Sequence, residues 1–227
     1  MLALSTWCYS GPVSGSSYHH GDLREALIEA AVAAVRERGP DALVLRDLAR
    51  RVQVSHNAAY RHFADREELV AEVAGRAMGG LVDAMQARLQ RVRTRDPVLR
   101  ARRRLAATGR GYVDFALSES GLFRFTCASL SAASPANPPR ERDPLAQLGE
   151  VLDELVSIGF LSREGRVGAE ITCWSAMHGF SVLSIDGPLR DSTDRERTAA
   201  LDRVLTAIDR SFAATTDTHV RPSDLRG

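Results

Sequence analysis

The chain contains no lysine: each of its 30 basic residues is an arginine, and 29 acidic residues bring the formal net charge to +1. A chain so nearly neutral cannot coat nucleic acid by bulk charge, so any contact with a polyanion must come from a local patch. Cysteine is scarce too. Cys8, Cys127 and Cys173 form an odd set without CxxC spacing, which excludes a disulfide framework or a zinc site and fits a reducing cytosol. Long apolar runs are missing, and arginine or aspartate interrupts the most apolar stretches every few positions. No segment therefore approaches the run of about 18 apolar residues that a helical membrane span needs. Residues 1–17 lack the basic flank and apolar block of a secretory signal and read as a Gly/Ser/Pro-rich extension, expected to be disordered. The expected location is cytoplasmic. No Gly-rich phosphate loop, nucleophile elbow or HExxH stretch occurs, and the histidines lack a Ser or Cys partner with a supporting acid, so no enzyme and no cofactor are expected.

The remainder is ordinary globular material. With 227 residues, 44% hydrophobic and 26% charged, the chain can bury roughly 70–75% of its unfolded surface and keep room for a ligand cavity. Leu23, Ala26, Leu27, Ala30, Ala34 and Val35 recur at steps of three and four, so a helix runs from Asp22 to Gly39-Pro40. A short helix follows over Arg46–Val52, and Ser55 opens the segment SHNAAYRHF. Asp65, with Glu68 as a capping box, starts a long helix reaching toward Arg91. Asp96-Pro97 caps another that runs to about Leu117. Ser120 to Leu130 is a short apolar helix, and the proline-rich stretch SAASPANPPRERDP is a loop. Three more helices are predicted over about Pro144–Ile158, Arg163–Leu183 and Asp194–Ala213. No segment alternates with a period of two, so the fold class is all-α.

The stretch from Leu45 to Phe63 has the length and pattern of a helix-turn-helix, in which one short helix braces a second lying in the major groove. Ser55 can cap the second helix, and His56 and Asn57 fall in its first turn, where base edges are reached. Ala58 and Ala59 are small enough for close approach, Tyr60 and His62 offer donors to phosphate, and Phe63 anchors the helix. Between Arg46 and Arg66 five arginines face two aspartates, a local balance of +3. A plain helical hairpin with an exposed basic face is the competing reading of the same residues.

Tyr18 to Val70 closely resembles the DNA-binding domain of TetR-type transcriptional repressors: a hydrophobic first helix, a glycine before the second, then V-S-x-x-x-x-Y-x-H-F and an acidic-rich fourth helix. Downstream, Trp174, His178 and Gly179 are similar to the W-x-x-x-H-G signature of one ligand-binding subclass in that family. The resemblance implies a homodimeric, all-helical regulator whose C-terminal domain binds a small molecule and then loses operator affinity. It places Arg46, Ser55, His56, Asn57, Ala58, Tyr60, His62 and Arg66 on operator DNA, with His56, Asn57 and Ala58 toward bases and Arg46, Tyr60 and His62 on the backbone. The implied organisation is an extension over 1–17, a helix-turn-helix domain over 18–66, a helical ligand-binding and dimerisation domain over 67–215, and a flexible tail over 216–227. Two positions depart from the pattern. Gln53 stands where such sequences usually have glycine, so a left-handed backbone there costs about 1 kcal/mol. Arg66 replaces the usual lysine, keeping the charge and changing the donor geometry.

A small apolar effector is expected between the stretches Tyr112–Phe125 and Trp174–Phe180, with Tyr112, Phe115, Phe123, Trp174, Met177 and His178 as candidate contacts. Core packing is the plainer reading of every one of them. The Arg88–Arg110 stretch carries nine arginines against Asp96 alone, a balance of +8. A solvated connection explains it better than a phosphate patch, because it lacks aromatics to stack bases. His19-His20 is too small a set for a metal site. Ile171, Val182, Leu201, Val204, Leu205 and Ile208 are expected to be exposed and to form a four-helix dimer seam. The rivals to a ligand-released repressor are a helical adaptor that uses the hairpin for protein contact and a constitutive DNA binder.

Overall fold

A computed structural model of the protein describes residues 20–63, 65–132 and 143–213, and every regular element in them is helical. The extension over 1–17, the tail over 216–227, His19 and most of the proline-rich stretch lie outside the described residues.

The helices are α1 (His20–Arg38), α2 (Leu45–Arg51), α3 (His56–Tyr60), α4 (Arg66–Leu89) and α5 (Pro97–Ser118). They are followed by α6 (Ser120–Ala132), α7 (Pro144–Ser157), α8 (Arg163–Arg166), α9 (Ala169–Ile185) and α10 (Asp194–Phe212), and a single 3-10 turn, Pro40–Ala42, links α1 to α2. Most starts are marked by a side chain that accepts an otherwise unpaired backbone N–H. Asp65 accepts from Glu68 N at 2.8 Å, Asp96 from Leu99 N at 2.8 Å and Asp143 from Leu145 N at 2.9 Å. On α10 a complete capping box pairs Thr193 with Glu196.

The single helix expected over Arg163–Leu183 is two. Gly168 takes a left-handed backbone (φ +75°) after an extended Val167, which ends α8 and turns the chain into α9. The four residues of α8 bury no side chain, so no apolar stripe joins α8 to α9.

Two cores form. The first lies under α1–α4 and α6, where Leu27, Leu48, Phe63 and Val73 are fully buried. The second lies between α5, α7, α9 and α10 around Val151, Leu152, Leu155 and Phe180. The long α4 runs from one to the other and packs along α5. Their axes approach closely at Gly111, where a Cβ would stand 2.5 Å from Met85 Cα. The start of α6 is pressed as tightly onto α1: a Cβ on Gly121 would meet the Val35 carbonyl oxygen at 2.5 Å.

Candidate nucleic-acid interface and internal cavity

The turn between α2 and α3 is built on Gln53, whose φ of +58° makes it the one non-glycine with positive φ among the described residues. Ser55 then caps α3, its Oγ accepting from Ala58 N at 3.2 Å. The five-residue α3 is held from beneath by Ala59, 0% exposed, and by the equally buried Phe63 just beyond it. Ala59 thus closes against the core, so the close outward approach expected of the alanine pair falls to the half-buried Ala58 alone. His56, Asn57 and Tyr60 project outward, and the His56 and Tyr60 rings lie 4.5 Å apart between centroids, one turn from each other.

Around α3 the cations divide into two sets. Arg50 is held by Asp47 at 3.1 Å and Arg51 by Glu37 at 2.7 Å, an interaction that lowers the Glu37 carboxyl below its ordinary range. Arg46 and Arg61 are exposed and take no carboxylate partner among the described residues. Arg66 is exposed, and its Nε donates to the Leu43 carbonyl at 3.4 Å, tying the start of α4 to the approach to α2. His62 is half-buried at the edge of the same face.

A clamp behind this face escaped the sequence reading. Arg24 on α1 pairs with Glu72 at 2.7 Å and Glu68 at 3.0 Å on α4, and its guanidinium stacks 5.0 Å from the centroid of the Phe63 ring. The Glu72 hydrogen bond, then that of Glu68, raises the Arg24 pKa further. The only available sign was the i, i+4 spacing of the two glutamates, which fixes a shared helix face but not what faces it.

Between α4, α5, α6, α7, α9 and α10 lies a cavity of about 940 Å³. Of the sequence candidates, Tyr112, Phe123, Trp174, Met177 and His178 line it, as do Cys127 and Cys173. Phe115 does not. It belongs to the first core, one turn further along α5, with its ring edge 3.0 Å from where a Cβ on Gly80 would stand. The expectation for Phe115 fails because its position on α5 directs the ring at α4 and away from α9.

One wall of the cavity carries a polar line across two helices. Trp174 Nε1 donates to Tyr112 Oη at 3.3 Å, and Tyr112 Oη lies 3.1 Å from His178 Nδ1. Phe123 packs on both, edge-on to Tyr112 at 5.9 Å and tilted against His178 at 5.5 Å. Burial raises the Tyr112 phenol well above its ordinary value, against the opposing hydrogen bond from Trp174. Burial also pushes the Cys173 thiol up to about 12 and raises that of Cys127. Both cysteines therefore remain protonated thiols at neutral pH and behave as small apolar side chains.

About half of the arginine-rich stretch is neutralised within the molecule. Arg88 meets Asp114, Arg104 meets Glu154, Arg102 forms a two-pronged pair with Asp209 at 2.6 and 2.9 Å, and Arg110 meets Asp202 at 2.6 Å. The last two pairs lace α5 to α10 along the border of the cavity. The expected dimer seam needs correction as well. Leu201, Leu205 and Ile208 are only 7–8% exposed because α10 spends its apolar stripe on the chain's own second core. Ile171 and Val182 are exposed, Val204 is half-buried, Leu183 is a further exposed apolar residue of α9, and Val167, at the end of α8, is open beside it.

Residues 27–73 match the family model described as bacterial regulatory proteins, tetR family, and residues 105–208 match the tetracyclin repressor-like C-terminal domain. An HTH-type transcriptional repressor of Mycobacterium tuberculosis and an HTH-type transcriptional regulator of Mycobacterium bovis are each 38% identical over 52 residues. That match spans 23% of this chain and 28% of either relative. A Rhodococcus sp. RHA1 protein of unknown function superposes with a TM-score of 0.69 at 26% identity, over 85% of this chain and 98% of its own. The TetR family regulator PfmR of Thermus thermophilus gives 0.52 at 25% identity, over 79% and 97%.

Proposed function

Because this chain belongs to the tetR family of bacterial regulatory proteins, we propose that it is a cytoplasmic homodimeric repressor, released from its operator when a small apolar molecule occupies the cavity. The observation that carries this reading is the pairing of an outward-facing, Ser55-capped α3 with a 940 Å³ cavity in the body behind it. On this reading residues 18–66 bind DNA and residues 67–215 hold the effector and the partner. His56, Asn57 and Ala58 face bases, Arg46, Tyr60 and His62 contact the backbone, and Ser55 and Arg66 belong to the same DNA-facing set.

The dimer forms through α9. Val167, Ile171, Val182 and Leu183 leave an apolar face open to solvent, and Gly179 on α9 has nothing within 4 Å of where its Cβ would stand. A glycine inside a helix costs about 1 kcal/mol relative to alanine, and a second α9 crossing closely at that point accounts for it. Two-fold symmetry then sets two α3 helices about 34–36 Å apart, one turn of DNA.

Release requires that the effector prefer the non-binding state. A 100-fold loss of operator affinity corresponds to about 2.7 kcal/mol of coupling, and operator must weaken effector binding by the same factor. The test is mobility shift with DNA from the region upstream of its own gene, together with light scattering. Nanomolar binding, a steep salt slope and a dimer mass are expected. A monomer of 24.7 kDa with no preference for that DNA contradicts the proposal.

A further inference from the structure

The polar line on the cavity wall fixes the direction of its own protons. An indole N–H can only donate, so Tyr112 Oη accepts from Trp174 and must send its own proton elsewhere. The acceptor within reach is His178 Nδ1, 3.1 Å away. Cys127 Sγ lies 4.0 Å from the same nitrogen and completes that side of the ring. A ring nitrogen that accepts carries no proton, so the neutral imidazole keeps its hydrogen on Nε2. The raised pKa of Tyr112 keeps the phenol O–H in place across the physiological range. His178 is half-buried and lines the cavity, and no acceptor among the described residues is bonded to its Nε2.

We propose that His178 Nε2–H is the recognition donor of the cavity, held in that tautomer by Tyr112 and Trp174, and that the effector is an apolar molecule bearing one neutral hydrogen-bond-accepting oxygen of the ketone or ester kind. A neutral group suits the site, since of the arginines bordering the cavity Arg102 and Arg110 are held by Asp209 and Asp202, and Arg103 is exposed to solvent. A hydrocarbon of the same shape leaves the donor unpaired once water is displaced, and that asymmetry gives discrimination. Tyr112 and Trp174 are positioning residues: they act on the ligand through the imidazole. The proposal rests on the cavity being the effector site.

The test loads the full-length protein with the neutral fluorophore N-phenyl-1-naphthylamine and displaces it with 2-undecanone or with undecane, which differ by one carbonyl. The ketone is expected to compete about tenfold better. His178→Phe abolishes the preference, and Tyr112→Phe reduces it by letting the imidazole proton move to Nδ1. In parallel, the 15N histidine spectrum, with the His178 signals assigned by their loss in His178→Phe, is expected to show a protonated Nε2 and a bare Nδ1. Equal competition by ketone and hydrocarbon overturns the recognition donor while leaving the cavity reading intact. A protonated Nδ1 on His178 overturns it, and where His178→Phe fails to fold the milder His178→Gln supplies the assignment. Failure of fluorophore and ketone alike to bind removes the cavity reading and this proposal together.

Discussion

The two cores of the molecule are packed to different ends. The first, under the α2–α3 unit, is solid: Leu27, Leu48, Ala59, Phe63 and Val73 are all 0% exposed, and Arg24 clamps the Phe63 ring from α1. The second borders a 940 Å³ cavity, closed on its other side by Met78, Leu81 and Met85 of α4 and Phe123 of α6, and its own helices carry Tyr112, Trp174 and His178 into the wall. On the proposed function, the surface that holds side chains in fixed register against DNA needs a close-packed support, because packed interiors transmit strain without yielding. On the same proposal, the region that responds to a small molecule needs the reverse, an interior with more than one arrangement. The close seat of Gly111 of α5 on α4 joins the two.

The largest effect that separates the cores is expected from Phe63→Ala. It removes a fully buried ring and its Arg24 contact, at a cost of about 3–5 kcal/mol, read as a fall in melting temperature and urea midpoint. The counterpart in the hollow core, Leu148→Ala, enlarges a void that already exists and should cost less, about 1–2 kcal/mol, with the second variant melting well above the first. Equal losses erase the contrast between solid and hollow.

Gln53 is the weak point of the solid region. Gln53→Gly relieves the left-handed strain and is expected to stabilise by about 0.5–1 kcal/mol, after allowance for the freer unfolded chain. Gln53→Val should lower the melting temperature instead. Smallest is the response to acid. Asp186, held by Arg124, and Glu196, in its capping box, have carboxyls lowered below their ordinary values of 3.8 and 4.5. Depressed folded-state values mean that their contribution is fully present above the ordinary values and is lost as pH falls from there through the lower folded-state ones. Melting temperatures of Asp186→Asn and the parent should therefore converge below pH 3.8.

The helix-turn-helix could be read closely from sequence because its determinants are local. Ser55 three residues before Ala58, Gln53 at the turn and Phe63 at the end of the motif each act on neighbours a few positions away. The cavity was legible only as a concentration of aromatic, Met and Cys residues in two stretches. Which of them share a void depends on helix rotation, and Phe115, one turn from Tyr112, faces the other core. The stripe of Leu201, Leu205 and Ile208 reads equally well as seam or as core, since periodicity reports an apolar face and not its partner. The Arg88–Arg110 charge was visible, whereas its neutralisation by Asp202 and Asp209 about a hundred positions later was not, because ion pairs between distant helices leave no spacing signal.

The central claim, that α3 reads bases from a rigid support, is tested most directly by fluorescence anisotropy of the parent and Asn57→Ala on operator and on random duplex at matched salt. The account predicts a loss of about 1–3 kcal/mol on operator with random-duplex affinity nearly unchanged, whereas Tyr60→Phe, at a proposed backbone contact, weakens both alike. An equal loss on both duplexes for Asn57→Ala would contradict it.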